Sequence, residues 1–356
     1  MSRFLQFHYL TVYPLSNPNR DDLGRPKSAI YGGVRRLRIS SQSLKRAARL
    51  SDVMQQTLVG KMGERTQRIG EVVRDTLIDE GIEQDKAEGL AAQIAGVFGK
   101  IDEKARKDKR QIRTRQLAFI SPEERECAID LARMVCRGEP LPEAELKKKL
   151  LRRADSAVDI AMFGRMLADD PDFNREAAVQ ISHAITTHRA LVEDDFYTAV
   201  DDLKEPSEDA GAGFVGEAGF GSGVFYLYAC VDTELLIENL AGDRDLAALA
   251  VGALSKALGT ATPSGKRNAF AHQTFAGYIR AEHGDQQPRS LSGAFFRPVE
   301  GQDLLAASIE ALSKLVNQMD KAYGACADAV ALMDVARENG SIDEICAFAT
   351  AAVRNA

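Results

Sequence analysis

Nine lysines and arginines crowd into residues 20–49 (Arg20, Arg25, Lys27, Arg35, Arg36, Arg38, Lys45, Arg46 and Arg49), with only two acids, Asp21 and Asp22. A second concentration, residues 100–115, holds eight basic side chains against three acidic ones. The whole chain carries a formal net charge of −6, and its acids collect at 193–209 and beyond residue 300. Phosphate binding depends on local charge density, so an acidic protein with two such stretches can still present a cationic groove. The bland alternative is a pair of solvated surfaces. The stretch 35–50, RRLRISSQSLKRAARL, is the more specific of the two. Serines precede it as helix caps, which places an N-cap at Ser40 or Ser41. At 100° per residue, Gln42, Lys45, Arg46 and Arg49 then share one face, and Leu44, Ala47, Ala48 and Ser51 lie opposite. The N–H groups and serine hydroxyls at the start of this helix form a further expected anion site. Cations near a helix N-terminus oppose its dipole, which is easier to understand if an anionic partner is bound there.

Other chemistries find less support. The segment 262–267 (TPSGKR) resembles a phosphate loop, but five residues separate Gly259 from Gly265 where the motif allows four. Arg267 also stands where a magnesium-binding Ser or Thr belongs. What remains is a basic loop, Lys266 and Arg267, able to touch a phosphate. The glycines of 219–223 lack the acid at dinucleotide-binding spacing. The carboxylate pairs Asp194–Asp195 and Asp201–Asp202 sit in polar sequence that would not raise a pKa. Five cysteines and five histidines show no metal-ligand or nucleophile spacing. No catalytic set, no metal site and no cofactor is expected.

The elements that must position the cations read as an α+β chain. Strands are expected at 4–13, 34–39, 157–163, 178–185, 224–231 and near 273–279, the aromatic and β-branched runs. Residues 54–151 turn mostly helical, with amphipathic stretches at 68–80, 84–98, 122–137 and 142–151 and an exposed polar piece at 99–115. Pro122 and Pro142 suit first helical turns. Helices are expected at 243–258, 303–322 and 343–353. A long acidic, glycine-containing excursion runs from 189 to 223, the length at which loops are usually functional. There is no apolar run of about 20 residues and no secretory h-region, so the chain is expected to stay in the cytoplasm without contacting a membrane.

Several stretches carry a resemblance: Asn19-Arg20-Asp21-Asp22, Ala29-Ile30-Tyr31-Gly32-Gly33, the 35–47 segment, 158–166, 180–188, 196–203 and 222–226. In these the chain resembles the CasC family, the repeated backbone subunits of the type I-E CRISPR surveillance complex, Cascade. The resemblance implies a hand-like fold with an RRM-like (ferredoxin-like) palm, a large helical finger insertion and a thumb hairpin. The palm would be 1–53, 153–188 and 224–356, the fingers 54–152 and the thumb 189–223. By the same likeness about six copies line up head-to-tail on one CRISPR guide RNA, with other Cascade subunits, and present its bases to a target DNA strand. Arg20, Lys27, Ser40, Gln42, Lys45 and Arg49 are implied to contact the RNA backbone, with Arg46 beside them on the helix face. The family often has Lys where Arg49 stands, and a planar guanidinium binds phosphate differently from an ammonium. Met166 and Phe196 are implied to wedge against bases, core packing being the alternative for Met166, and Lys266 and Arg267 to approach the RNA. Lys104, Lys107, Lys109, Arg110, Arg113, Lys147 and Lys148 are implied to guide target DNA.

Backbone contacts carry no sequence information, so one such subunit can coat any guide and leave recognition to base pairing. The function expected is therefore non-catalytic binding of guide RNA in antiviral defence. The runner-up is an endonuclease of related fold acting on the CRISPR precursor RNA, and a third reading is generic nucleic-acid coating.

Overall fold

The computed structural model describes residues 3–109, 111–140, 145–167, 170–199 and 214–355, the side chains of 107–109, 214 and 215 excepted. Its strands are β1 (Phe4–Ser16), β2 (Ser28–Tyr31), β3 (Val34–Ile39), β4 (Glu64–Thr66), β5 (Ala118–Ile120), β6 (Val179–Ile181), β7 (Ala184–Thr186), β8 (Glu193–Ala199), β9 (Phe214–Asp232), β10 (Ala276–Gly284) and β11 (Ala329–Asp334). Its helices are α1 (Ser41–Arg49), α2 (Asp52–Thr57), α3 (Ile69–Asp79), α4 (Gln84–Ala95), α5 (Glu103–Lys109), α6 (Pro122–Cys136), α7 (Leu146–Leu150), α8 (Val158–Phe163), α9 (Thr233–Asn239), α10 (Arg244–Thr260), α11 (Arg267–Phe270), α12 (Leu304–Tyr323) and α13 (Ile342–Arg354). The chain is thus α+β. It divides into two compact units, Met1–Met54 with Ile181–Cys230 and Val251–Ala356, and Gln55–Gln180 with Val231–Ala250.

The first unit is built on an antiparallel sheet in the order β11-β10-β1-β9-β7-β3-β2, with β8 paired to β9. In β1 the side chains alternate faces, yet Leu5, Gln6, Phe7, His8, Tyr9 and Leu10 are all buried, so this central strand is covered on both sides. One face, with Leu10, Tyr226 and Tyr278, packs under Leu291 and Phe295 and under Ile309, Leu312 and Val316 of α12. On the other, the Tyr9 hydroxyl donates to the Ser255 carbonyl of α10 at 3.1 Å. Burying each large apolar side chain contributes about 1.5–3 kcal/mol, so this doubly covered strand anchors everything hung from the sheet.

The second unit closes around Val73 and Leu77 of α3, Ala91 and Ile94 of α4 and Ala128 and Ala132 of α6. Ser121 caps α6 reciprocally with Glu124, and Pro122 occupies its first turn. Glu124 also binds the Arg165 guanidinium at 2.6 Å with both side chains buried, and a second buried pair joins Arg175 to Asp155 at 2.7 Å.

Four expectations are corrected. Residues 157–163 form no strand: Val158–Phe163 is the helix α8, ended by Gly164 at φ 77°. Its side chains from Val158 to Met162 are all buried, and a segment buried on every side has no periodicity to separate helix from strand. The segment 178–185 is two short strands, broken where the Ser182 hydroxyl accepts from the Tyr228 N–H at 3.0 Å and the Ser182 N–H donates to the Tyr228 carbonyl at 2.9 Å. The polar piece 99–115 is not simply exposed, since Ile112 and Thr114 are buried and α5 lies within it. The excursion 189–223 is no loop at its ends: β8 pairs in register with β9 from Glu193↔Phe220 to Ala199↔Phe214. Beyond these, β2, β11 and the small β4–β5 pair were not anticipated.

Candidate nucleic-acid interface

The basic stretch begins in a loop wired by two asparagines. Asn17 donates from Nδ2 to the carbonyls of Gly24 at 2.9 Å and Gly219 at 2.7 Å. The Asn19 Oδ1 accepts the Ser40 N–H at 2.8 Å, and its carbonyl accepts the Lys27 N–H. The Asp21 carboxylate turns inward, accepting the N–H groups of Leu23 and Arg25, both at 2.9 Å. One acid of the stretch is therefore spent on its own backbone. The loop carries Arg20 and Lys27 to the start of α1.

Helix α1 runs Ser41–Arg49 with Ser40 as N-cap, its hydroxyl accepting from the Ser43 N–H at 3.4 Å. Leu44 and Ala48 are buried, Gln42 and Arg46 are exposed, and Lys45 and Arg49 are half-buried between them. The face expected from 100° spacing is the face presented. The expected anion site at its N-terminus is corrected, however. The Ser41 N–H donates to His183 Nδ1 at 3.2 Å, and with Ser40 capping Ser43, N–H groups that were to wait for an anion are already bonded. Arg38 also points a guanidinium nitrogen at His183 Nδ1, 3.1 Å away. Burial, then the charges of Arg38 and Lys27, hold the His183 pKa below the usual histidine range, so at neutral pH Nδ1 is an acceptor.

The nine cations separate into distinct fates. Arg36 is wholly buried and donates to three carbonyls, Tyr31 at 3.3 Å, Thr186 at 3.1 Å and Phe295 at 2.8 Å. Arg25 reaches Asp194 at 3.4 Å and Glu217 at 3.5 Å on the β8–β9 hairpin. Arg38 faces His183. Arg20, Lys27, Arg35 and Arg46 have no acidic partner among the described residues. Positive charge left uncompensated on one stretch, against a negative whole, favours an anionic ligand.

Beside α1 a cleft of about 960 Å3 separates Ser43, Arg46 and Leu50 from Thr262–Gly265 and Phe275. Gly265 is pressed onto the chain there, for a Cβ on it would lie 2.4 Å from the Pro18 carbonyl oxygen. Lys266 follows at φ 52° and is half-buried. Arg267 opens the short α11 and donates to the Thr262 carbonyl at 2.7 Å, so its guanidinium first closes its own loop.

Phe196 is 70% exposed on β8, opposite Glu217. Met166 is 81% exposed, which rules out the core-packing alternative for it; the neighbouring Arg165 is the buried one. Among the basic residues of the second unit, Arg113 is bound to Glu71 at 2.7 Å and Lys147 to Asp170 at 2.5 Å. Lys104 and Lys148 are exposed. The side chains of Lys107 and Lys109, and Arg110 altogether, lie outside the described residues. His8 is sealed inside the sheet, Nδ1 2.9 Å from the Tyr226 hydroxyl and Nε2 3.7 Å from Glu282. Among the described residues no group of three His, Cys, Asp or Glu side chains could hold a metal ion, and no helix is long and apolar enough to cross a membrane.

The sequence matches the family described as CT1975-like protein over residues 5–350. The chain belongs to the CT1975-like family. A solved chain described as "CRISPR RNA-guided surveillance complex, pre-nicking" has the same fold at a TM-score of 0.86 and 30% identity, covering 98% of this chain and 100% of that one. Another, described as "CRISPR RNA-guided surveillance complex", follows at a TM-score of 0.62 and 25% identity, covering 98% and 99%. No curated protein matches. In this CT1975-like chain, sequence reasoning missed the exposed Arg35 and the His183 cap. Alternation along β3 gives no signal for Arg35, because it puts that residue on the face of the buried Leu37 and Ile39, and nothing local joins His183 to Ser41.

Proposed function

We propose that this chain is a non-catalytic subunit that binds CRISPR guide RNA in a type I-E surveillance complex, the role its sequence resemblance to the CasC family implies. Arg20, Lys27, Gln42, Lys45, Arg46 and Arg49 hold the sugar-phosphate backbone, and Ser40 sets the start of their helix. Lys266 and Arg267 close on the strand from the facing loop, and the exposed Met166 and Phe196 press on bases. The first unit's sheet is the RRM-like palm, the helical block the fingers and the β8–β9 hairpin the thumb. Further copies join head-to-tail on the same guide, since a heterologous contact builds an open filament. Other Cascade subunits complete the particle, which acts in the cytoplasm and offers guide bases to a target DNA strand. The exposed bases of the second unit, Lys104 and Lys148 foremost, steer that DNA.

The observation that carries this reading is the set of cations at 20–46 with no acidic partner among the described residues, in a CT1975-like chain 30% identical to one from an RNA-guided surveillance complex. Sequencing the RNA that co-purifies with the protein tests it. Spacer-containing guides of uniform length are expected; a random cellular mixture would point to generic coating. Incubation of the purified chain with repeat RNA should leave the RNA intact, and site-specific cleavage would overturn the non-catalytic assignment.

A further inference from the structure

Two buried ion pairs of the second unit bear on the short segment that carries Met166. Arg165 and Arg175 face each other in an antiparallel bridge. The Arg165 N–H donates to the Arg175 carbonyl at 3.1 Å, and the Arg175 N–H to the Arg165 carbonyl at 2.9 Å. Gly164, at φ 77°, lets α8 turn straight into that bridge, and a Cβ on it would fall 3.0 Å from the Arg175 carbonyl oxygen. On the far side of Met166 the Leu167 N–H donates to Asn174 Oδ1 at 2.6 Å, and the Leu167 side chain is buried. Met166 thus stands between two buried, hydrogen-bonded neighbours and is itself 81% exposed.

Both arginines do more than pair with an acid. From one nitrogen Arg165 donates to Glu124 at 2.6 Å and to the Phe119 carbonyl at 3.2 Å. From the other it donates to the carbonyls of Arg152 at 2.9 Å and Phe173 at 3.3 Å. Arg175 donates to Asp155 at 2.7 Å and to the same Arg152 carbonyl at 3.0 Å. The bridge is thereby tied to β5, to α6 and to the chain that follows α7. A buried ion pair is weak evidence for stability, since desolvating both charges can offset their attraction, and its best-attested benefit is to fix one conformation. Here the conformation fixed is the one that leaves Met166 in water. A single exposed methionine needs no explanation. One whose backbone is held on both sides, with buried charge on the bridge beside it, does. Its unbranched, polarisable side chain can lie against the face of any base, which suits a subunit that reads no sequence.

We propose that Arg165 and Arg175 are positioning residues that hold Met166 out as a fixed wedge against the bases of a bound RNA strand. This rests on the proposed RNA-binding function and deepens it. Neither arginine touches the strand: both guanidinium groups are buried, so they act only through the backbone beside Met166.

The test uses the full-length protein on single-stranded RNA in which 2-aminopurine, a base that brightens when its stacking is broken, replaces adenine. The wild type should raise the emission and Met166→Ala should abolish the rise, whereas Met166→Leu should keep it. Arg165→Lys and Arg175→Lys retain the charge opposite Glu124 and Asp155 but not the planar fork that reaches several oxygens at once. Each should lose most of the rise, with RNA affinity and its salt slope as in the wild type, because no phosphate contact is removed. In the free variants the amides at 165, 167 and 175 should exchange hydrogen faster. Asn174→Ala removes only the acceptor of the Leu167 N–H, from an exposed side chain, and should act in the same direction where a lysine variant fails to fold. A full rise in these variants refutes the positioning role, whatever their exchange, and so does a rise that falls only in step with bound RNA, the mark of a general loss of structure. A full rise in Met166→Ala refutes the wedge, as does a change confined to self-association, which would place Met166 in a contact between copies. If the wild type binds RNA without any rise, the wedge fails while the RNA grip stands. If the wild type binds no RNA, the proposed function itself fails.

Discussion

Replacing Arg20, Lys27 and Arg46 together by alanine isolates the charge that the fold leaves for a ligand. None of the three has an acidic partner among the described residues, Arg20 and Arg46 are exposed and Lys27 is half-buried. Each substitution should therefore change stability by no more than about 0.5 kcal/mol. If each cation neutralises one phosphate of a single strand, removing three lowers the slope of log affinity against log salt by about 2. Between about 50 and 200 mM salt, a span of roughly 0.6 log units, the wild type should then lose about 20-fold more affinity than the variant. Fluorescence anisotropy on a labelled RNA, repeated across that range, reads both numbers. Arg25→Ala is the internal control: Arg25 already lies 3.4 Å from Asp194 and 3.5 Å from Glu217, so its loss should leave the slope unchanged. Equal slopes for the triple variant and wild type, or a flattening by Arg25→Ala alone, would refute the division of cations drawn above.

Arg36→Met should remove three hydrogen bonds and leave the carbonyls of Tyr31, Thr186 and Phe295 unsatisfied; a loss of about 3 kcal/mol in urea unfolding is expected, far above that of Arg35→Met. Glu124→Gln takes the charge out of a buried ion pair while its amide oxygen still accepts the Ser121 N–H of the α6 capping box, and should cost about 3–5 kcal/mol, read as an earlier melting of the second unit in hydrogen exchange. Burial above all lowers the pKa values of His8, His183 and His188 from 6.5, outweighing the neighbouring Glu282 in the case of His8. The unfolded chain then takes up protons below about pH 6.5 that the folded chain refuses, so stability is full above that pH and falls on acidification. Melting curves from pH 7.5 down to 5.5 check the sign, and His8→Gln should flatten the dependence.

Local chemistry was enough for α1. Ser40 as cap, Leu44 and Ala48 inward and Gln42 and Arg46 outward all follow from capping and a 3.6-residue period, neither of which needs the rest of the chain. The same holds for β3, for Pro122 opening α6 and for the two terminal helices. Period failed where burial is complete, as in α8, and where a strand is short or paired far away, as in β11. Identity of residue failed at Arg36, a charged side chain that the fold takes in.

By itself the sequence determined that cations concentrate at 20–49, that a helix gathers several of them on one face, and that nothing nearby has catalytic spacing. Which cations remain for a ligand was decided by tertiary structure alone. Arg35 and Arg36 are neighbours with the same side chain, but one projects into solvent and the other bonds carbonyls from positions 31, 186 and 295. The partner that quenches Arg25 comes from a hairpin some 170 residues away, and the histidine that caps Ser41 from a strand break at 183. Charge is written residue by residue, whereas neutralisation depends on who sits within about 4 Å. That distance is set by the sheet.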